Sequence, residues 1–352
     1  MSVQILNILK NTGIEIITSV KQLLEKAGKK IVIVPHENPD GDAIGSAIGL
    51  AEILVNYGHH VQVISPNNYP GFLKWFTSEI NIVIYDNYKK KAKKIIENAD
   101  VLICVDFNDA KRAARLEKHI FEFKKQKLLI DHHPNPVEFC DFTISEPTYS
   151  STAELIYDVA KLIGFEKYIN RNAAEALFTG IMTDTGSFSH NISNPNTFSV
   201  VAELMKLGIS TKKIQSNVYH NFSASRMKLL GYCLNEKMEV FPELRSAVIS
   251  ISKKELEQFN FEPGDTEGFV NYPLSINNIV FSALFIEKEG LVKASFRSNG
   301  NFAANQFSQN HFEGGGHLNA AGGESKMSLN KTTETFKQLL GQYKHQLLET
   351  II

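Results

Sequence analysis

At 352 residues and a formal net charge of −1, the chain is long enough for two domains, each with its own core, and has no global basic field to hold long nucleic acid. That balance suits a small anionic ligand recognised locally. Cys104, Cys140 and Cys233 make an odd number without CxxC spacing, which argues against a disulfide framework or a zinc–thiolate site and suits a reducing cytosol.

Between about Thr12 and Ala27, Ile14, Ile16, Ile17, Val20, Leu23 and Leu24 recur at helical spacing. Lys30 to His36 then reads as a strand buried on both faces, the form a parallel sheet requires. The next helix, about Ala43 to Tyr57, carries Ala43, Gly45, Ser46, Ala47 and Gly49, small enough to let it lie close to a sheet. Strands are expected at His60–Ser65, Asn81–Tyr85, Val101–Asp106 and Lys127–Ile130, and Pro134 stops the last from continuing. The lysine-rich helix over Lys89–Asn98 reads as a solvated face. Strand and helix alternate to about residue 140, which predicts a doubly wound, mostly parallel α/β sheet.

Helices follow at Ser151–Ile163, Arg171–Met182, Thr197–Leu207 and Thr211–Tyr219. A helical connector is expected over 223–236. Strand-like stretches at Ser246–Ile251, Asn278–Ile286 and Leu291–Arg297 precede a final helix over Lys331–Leu348. The expected organisation is a sheet domain with a helical extension (1–222) and a smaller α/β domain (237–352) across a cleft. No apolar run approaches the roughly 20 residues that span a bilayer, and the first residues lack the pattern of a secretory leader. A cytoplasmic protein without a membrane partner is expected.

Four acidic stretches fall at the ends of apolar segments. The first is His36-Glu37-Asn38-Pro39-Asp40-Gly41-Asp42, where Pro39 and Gly41 impose a turn and two carboxylates could face two cations. Asp42 could alternatively be only the N-cap of the following helix, but capping does not account for His36 or Asp40. The second is Asp106, on a strand near the sheet's centre and hence the natural bridging ligand. The third, Asp131-His132-His133, ends another strand. Ligands bind beyond such carboxyl ends in doubly wound sheets. His132 is read as a ligand and His133 as facing a substrate phosphate, with Asp131 orienting a ring from behind. The fourth, Asp184, follows a helix, where the macrodipole disfavours a carboxylate unless a cation is near. Other histidines, such as His59, His60, His119, His220 and His311, read as structural or surface residues. Oxygen-rich donors with two imidazoles favour two Mn²⁺ ions, with Mg²⁺ or Co²⁺ as alternatives, over zinc. Two such ions would clamp a phosphate and share a water made nucleophilic near neutral pH.

Further on, Gly314-Gly315-Gly316-His317 could form a backbone anion nest. In Leu291–Ser298, alternation places Val292, Ala294 and Phe296 on one face and Lys293, Ser295 and Arg297 on the other. The fork of Arg297 suits a terminal phosphate, and Ser298 and His317 would complete that grip.

His36–Ser46, Asp106, Asp131–His133 and Gly180-Ile181-Met182-Thr183-Asp184-Thr185-Gly186 together resemble the DHH phosphoesterase family across almost the whole chain. The resemblance implies one metal held by His36, Asp40 and Asp106, and another by Asp42, Asp106, His132 and Asp184. Gly314–His317 with Ala320-Ala321-Gly322-Gly323 looks like the DHH-associated domain of the nucleic-acid-type members. Within the family the chain is similar to nanoRNases, which implies trimming of short RNA, from dinucleotides to about pentanucleotides, and of pAp, to 5′-mononucleotides. A standalone cyclic-di-AMP or pApA phosphodiesterase is the alternative, and a homodimer stays open as an assembly. Where many relatives carry an Arg–aromatic pair after the aromatic at 188, this chain has Ser189-His190.

Overall fold

The computed structural model describes residues 3–76, 80–189, 192 and 194–351. It divides into two compact units, Met1–Asn221 and Phe222–Ile352. In the first, helices α1 (Val3–Asn11) and α2 (Ile14–Leu24) precede β1 (Lys30–Val34), α3 (Gly41–Tyr57), β2 (His60–Ser65), β3 (Ile82–Ile84), α4 (Lys89–Glu97) and β4 (Val101–Val105). Next come α5 (Glu117–Glu122), β5 (Gln126–Asp131), β6 (Phe142–Ser145), α6 (Thr152–Leu162), α7 (Arg171–Asp184), α8 (Asn196–Lys206) and α9 (Thr211–Tyr219).

The six strands form one sheet in the order β3-β2-β1-β4-β5-β6, and every pair is parallel. Its central strands are apolar throughout because both faces are covered. All of β4 is buried, and Ile31–Val34 of β1 is buried as well. Ile31, Ile33, Val101 and Ile103 join one core, and Val32, Val34, Leu102 and Cys104 the other, as period-two alternation requires. Since β1 pairs with β4 and β4 with β5, the three chain ends carrying His36, Asp106 and Asp131–His133 emerge side by side.

The glycines of α3 serve a different contact from the one expected, while Ala47 packs in the core that covers the sheet. The glycines face α7 rather than the sheet. A Cβ at Gly41 would meet the Thr183 side chain at 2.3 Å, one at Gly45 the Ala176 carbonyl oxygen at 2.6 Å, and one at Gly49 the Leu177 side chain at 2.6 Å. From the other side, a Cβ at Gly180 would meet Asp42 Oδ1 at 2.7 Å. Glycine thus lets two helices approach far enough to bring Asp42 near Asp184.

The second unit contains α10 (Ala224–Tyr232), β7 (Met238–Phe241), β8 (Ser246–Ile251), α11 (Lys253–Gln258), β9 (Phe281–Lys288), β10 (Leu291–Ser298), α12 (Ala304–His311), β11 (Gly315–His317), β12 (Ala320–Ser325), α13 (Leu329–Gln342) and α14 (Lys344–Leu348). Its sheet runs β11-β12-β10-β9-β8-β7, antiparallel except for the β8–β9 pair. Phe281, Phe285, Phe296, Phe307, Phe312 and Phe336 fill one face, with ring centroids of neighbouring pairs 4.9–6.4 Å apart, the spacing of edge and offset aromatic contacts. Leu229, Leu230 and Cys233, in the segment expected as a connector, pack with Ile249, Ile251 and Phe269 and so contribute to this unit's own core.

No helix among the described residues is long and apolar enough to cross a membrane.

Candidate metal centre

His36 begins the site. Its Nδ1 lies 2.8 Å from the Glu37 carbonyl oxygen, which can only accept, so the ring proton sits on Nδ1 and Nε2 keeps its lone pair. Nε2 stands 3.9 Å from Asp40 Oδ1 and 3.6 Å from Asp106 Oδ2. His132 repeats the device: Nδ1 lies 3.1 Å from the Tyr149 carbonyl oxygen, and Nε2 faces Asp42 Oδ2 at 3.8 Å, Asp106 Oδ1 at 3.7 Å and Asp184 Oδ2 at 3.5 Å. The donors therefore fall into two groups, His36, Asp40 and Asp106, and Asp42, His132 and Asp184, with the two oxygens of Asp106 turned toward different groups.

These separations are long for hydrogen bonds. They match the ~3–4 Å between two ligands that each sit about 2.1 Å from one cation. Charge argues the same way. Burial, and then the carboxylates of Asp42, Asp40, Asp131 and Asp184, push Asp106 well above the usual carboxylate range. Burial, followed by Asp40, raises Asp42 to about 7. Burial lowers His36 and His132, which keeps both rings neutral and able to ligate. Asp131 Oδ2 is buried with no hydrogen-bond partner among the described residues. A set of mutually repelling buried acids beside neutral imidazoles fits divalent cations well.

Asp40, not Asp42, caps α3: its side chain accepts from the backbone N–H groups of Asp42 and Ala43 at 3.1 and 3.0 Å. Asp42 instead accepts from a different helix, through the Thr152 and Ala153 N–H groups at 2.7 and 3.0 Å. Asp106 has φ +67°, a left-handed conformation uncommon for a residue with a side chain. Its N–H donates to the Ile130 carbonyl oxygen at 3.1 Å, which ties the turn to β5. Asp131 Oδ1 lies 2.8 Å from His133 Nδ1 and so fixes that ring's orientation through its Nδ1 side. Burial, then the neighbouring His132, holds His133 well below the ordinary histidine range.

The remaining expected residues lie in the second unit. Arg297 and His317 both pair with Ala320, one from each side of β12, so all three share a face of the sheet. Arg297 is half-buried, opposite in sense to Val292, Ala294 and Phe296, as its alternation requires. Ser298 falls on the other face and is buried. Its hydroxyl donates to the Phe302 carbonyl oxygen at 2.7 Å and accepts from Asn319 Nδ2 at 2.9 Å, so it holds a turn instead of joining that grip. The expected glycine nest also needs correction, because Gly315, Gly316 and His317 form an edge strand. Their neighbour Gly314 is needed for closeness: a Cβ there would lie 2.0 Å from the Gly322 carbonyl oxygen. Ser189 Oγ donates to the Gly186 carbonyl oxygen at 2.7 Å, and His190 lies outside the described residues.

Two contributors carry no motif. The Arg112 carbonyl oxygen accepts from the Glu37 N–H at 2.7 Å, which pins this exposed arginine beside His36. Its charge acts on His36, Asp40, Asp131 and His133. Thr152 donates its hydroxyl to Asp106 Oδ1 at 2.9 Å. An arginine seven residues past a strand end or a threonine at a helix start is too common to stand out.

The sequence profile of the DHH family, N-terminal domain, matches residues 30–181, and that of the DHHA1 domain matches residues 246–344. The chain is 27% identical over 326 residues to a probable bifunctional oligoribonuclease and PAP phosphatase NrnA of Streptococcus mutans, covering 92% of this chain and 98% of that protein. It is also 27% identical over 307 residues to the bifunctional oligoribonuclease and PAP phosphatase NrnA of Thermus thermophilus, covering 87% of each. A crystal structure of an exopolyphosphatase-related protein from Bacteroides fragilis superposes with a TM-score of 0.89 at 42% identity, covering 95% of this chain and 98% of that one.

Proposed function

The chain belongs to the DHH phosphoesterase family, and from that premise we propose that it hydrolyses very short oligoribonucleotides, and pAp, to 5′-mononucleotides. The observation that carries the reaction type is Asp106, a buried carboxylate whose two oxygens face two separate donor groups. The substrate class rests on relatives matched along nearly their whole length.

Divalent cations, Mn²⁺ before Mg²⁺ or Co²⁺, would be held one by His36, Asp40 and Asp106 and the other by Asp42, Asp106, His132 and Asp184, and when bound would supply phosphate charge neutralisation and a water that is nucleophilic near neutral pH. His133, with Nδ1 engaged by Asp131, uses Nε2 to hold or move a proton at the scissile phosphate. Arg112 offers a cation on the same side. The buried walls of α3 and the strand ends exclude bulk water, which strengthens each of these interactions. Arg297 and His317, on one face of the second sheet, grip another phosphate or base of the substrate, with Gly314–Gly316 keeping that edge slim.

The test is product chromatography with Mn²⁺ present, using pAp, pGpG, a five-nucleotide RNA, cyclic di-AMP and polyphosphate. AMP with phosphate from pAp, GMP from pGpG and mononucleotides from the RNA are expected. Turnover confined to cyclic di-AMP would move the protein to cyclic-dinucleotide hydrolysis. Phosphate released only from polyphosphate would overturn the nucleotide reading.

A further inference from the structure

One short stretch, 149–153, holds three residues of the two donor groups at once. The Tyr149 carbonyl oxygen engages His132 Nδ1, the Thr152 and Ala153 N–H groups engage Asp42, and the Thr152 hydroxyl engages Asp106 Oδ1. The stretch lies within the matched DHH region but in none of the four motifs quoted from the sequence.

The stretch is itself locked in place. Ser151 caps α6 by accepting from the Glu154 N–H at 3.0 Å. The Glu154 carboxylate, 0% exposed, accepts from the Ser150 N–H and hydroxyl at 3.1 and 2.6 Å, Asn196 Nδ2 at 2.8 Å and Thr197 Oγ1 at 2.9 Å. A buried carboxylate satisfied this fully is rigid, and it transmits that rigidity to the turn it holds.

Asp106 needs such support. The terminal torsion of an aspartate is broad and nearly twofold, so a carboxylate left to itself does not keep one oxygen for each of two neighbours. Here Oδ1 faces His132 and Oδ2 faces His36. A donor on Oδ1 alone breaks the equivalence of the two oxygens and sets the plane.

We infer that Thr152 is a positioning residue for the metal pair, its hydroxyl holding Asp106 in the orientation that lets one carboxylate serve both donor groups. The inference rests on the two-cation reading of the site. It predicts that losing the hydroxyl weakens occupancy of the second position more than the first.

The experiment compares wild type, Thr152→Val and Thr152→Ser by Mn²⁺ titration with electron paramagnetic resonance, alongside thermal melting of the metal-free proteins. Valine keeps the branched shape and both backbone donors to Asp42. Wild type should bind two Mn²⁺ equivalents with an exchange-coupled signal. Thr152→Val should bind the second equivalent about 10–100-fold more weakly, lose the coupled signal and lose kcat while KM stays nearly constant. Thr152→Ser should restore all three. Should Thr152→Val fail to fold, a Thr152→Ser protein that folds yet lacks the coupled signal would overturn the inference. Two tight, coupled equivalents in Thr152→Val would overturn it and leave the two-cation reading intact. A wild type that binds a single equivalent would overturn both.

Discussion

Asp106 is a non-glycine residue in the left-handed region, and Asp42 is a carboxylate buried to 1% exposure. Such conformations generally carry a strain of roughly 1–3 kcal/mol and persist where surrounding contacts over-determine them. The backbone bond to Ile130 and the Thr152 hydroxyl are those contacts. The proposed tasks of Arg112 and Arg297 belong to the same scale but differ, since neither residue is in the two donor groups. Arg112→Ala and Arg297→Ala should each raise KM for pAp by about tenfold while kcat changes little, which steady-state kinetics with saturating Mn²⁺ would measure. A fall in kcat at constant KM would contradict a binding role. His36, Asp40, Asp42, Asp106, Asp131, His132, His133 and Asp184 stood out in the sequence because the four short stretches that carry them each follow an apolar segment. Arg112 and Thr152 were not, because their roles come from which loop reaches the site in space.

Among the elements, α3 and α7 pack closely through their glycines. Gly45 on α3 lies against the backbone of Ala176 and Gly180, and a methyl group there would sit 2.6 Å from one carbonyl oxygen and 2.8 Å from one amide nitrogen. Backbone atoms cannot turn aside as a flexible side chain can, so the helices must separate. Gly45→Ala should therefore lower stability by about 2–3 kcal/mol, measured by urea unfolding, and should weaken Mn²⁺ binding by moving Asp42 from Asp184. A variant with the wild-type midpoint and metal affinity would show that the contact is dispensable. Sequence periodicity located the long helices and central strands well. It missed β6, β7, β11 and β12, which are short or glycine-rich and present too few residues for a period to register. It also assigned the glycines of α3 to the sheet, because periodicity reports that a face is close-packed and not which element packs there.

At the scale of the molecule, the first unit gathers six acidic or imidazole donors at one place, His36, Asp42, Asp106 and His132 buried and Asp40 and Asp184 partly exposed. Cations that bind the folded form alone stabilise it by mass action, about 4 kcal/mol at a thousandfold excess over Kd. Removing metal with a chelator should lower the melting temperature of the first unit, and Mn²⁺ should restore it, with the second unit's transition unchanged. Calorimetric traces that superpose with chelator and with Mn²⁺ would sink the metal assignment. The sequence by itself determined the parallel α/β class, the acidic and imidazole donors at strand ends and the family, because local periodicity and motif order are properties of the chain read along its length. Tertiary structure alone decided that Asp40 caps α3 while Asp42 reaches the start of α6, that α3 rests on α7 through glycine, and that the glycine motif is a strand edge. Each of those depends on which distant segments meet, and hydrogen-bond partners 100 or more residues apart, such as Asp42 with Thr152, leave no periodic trace.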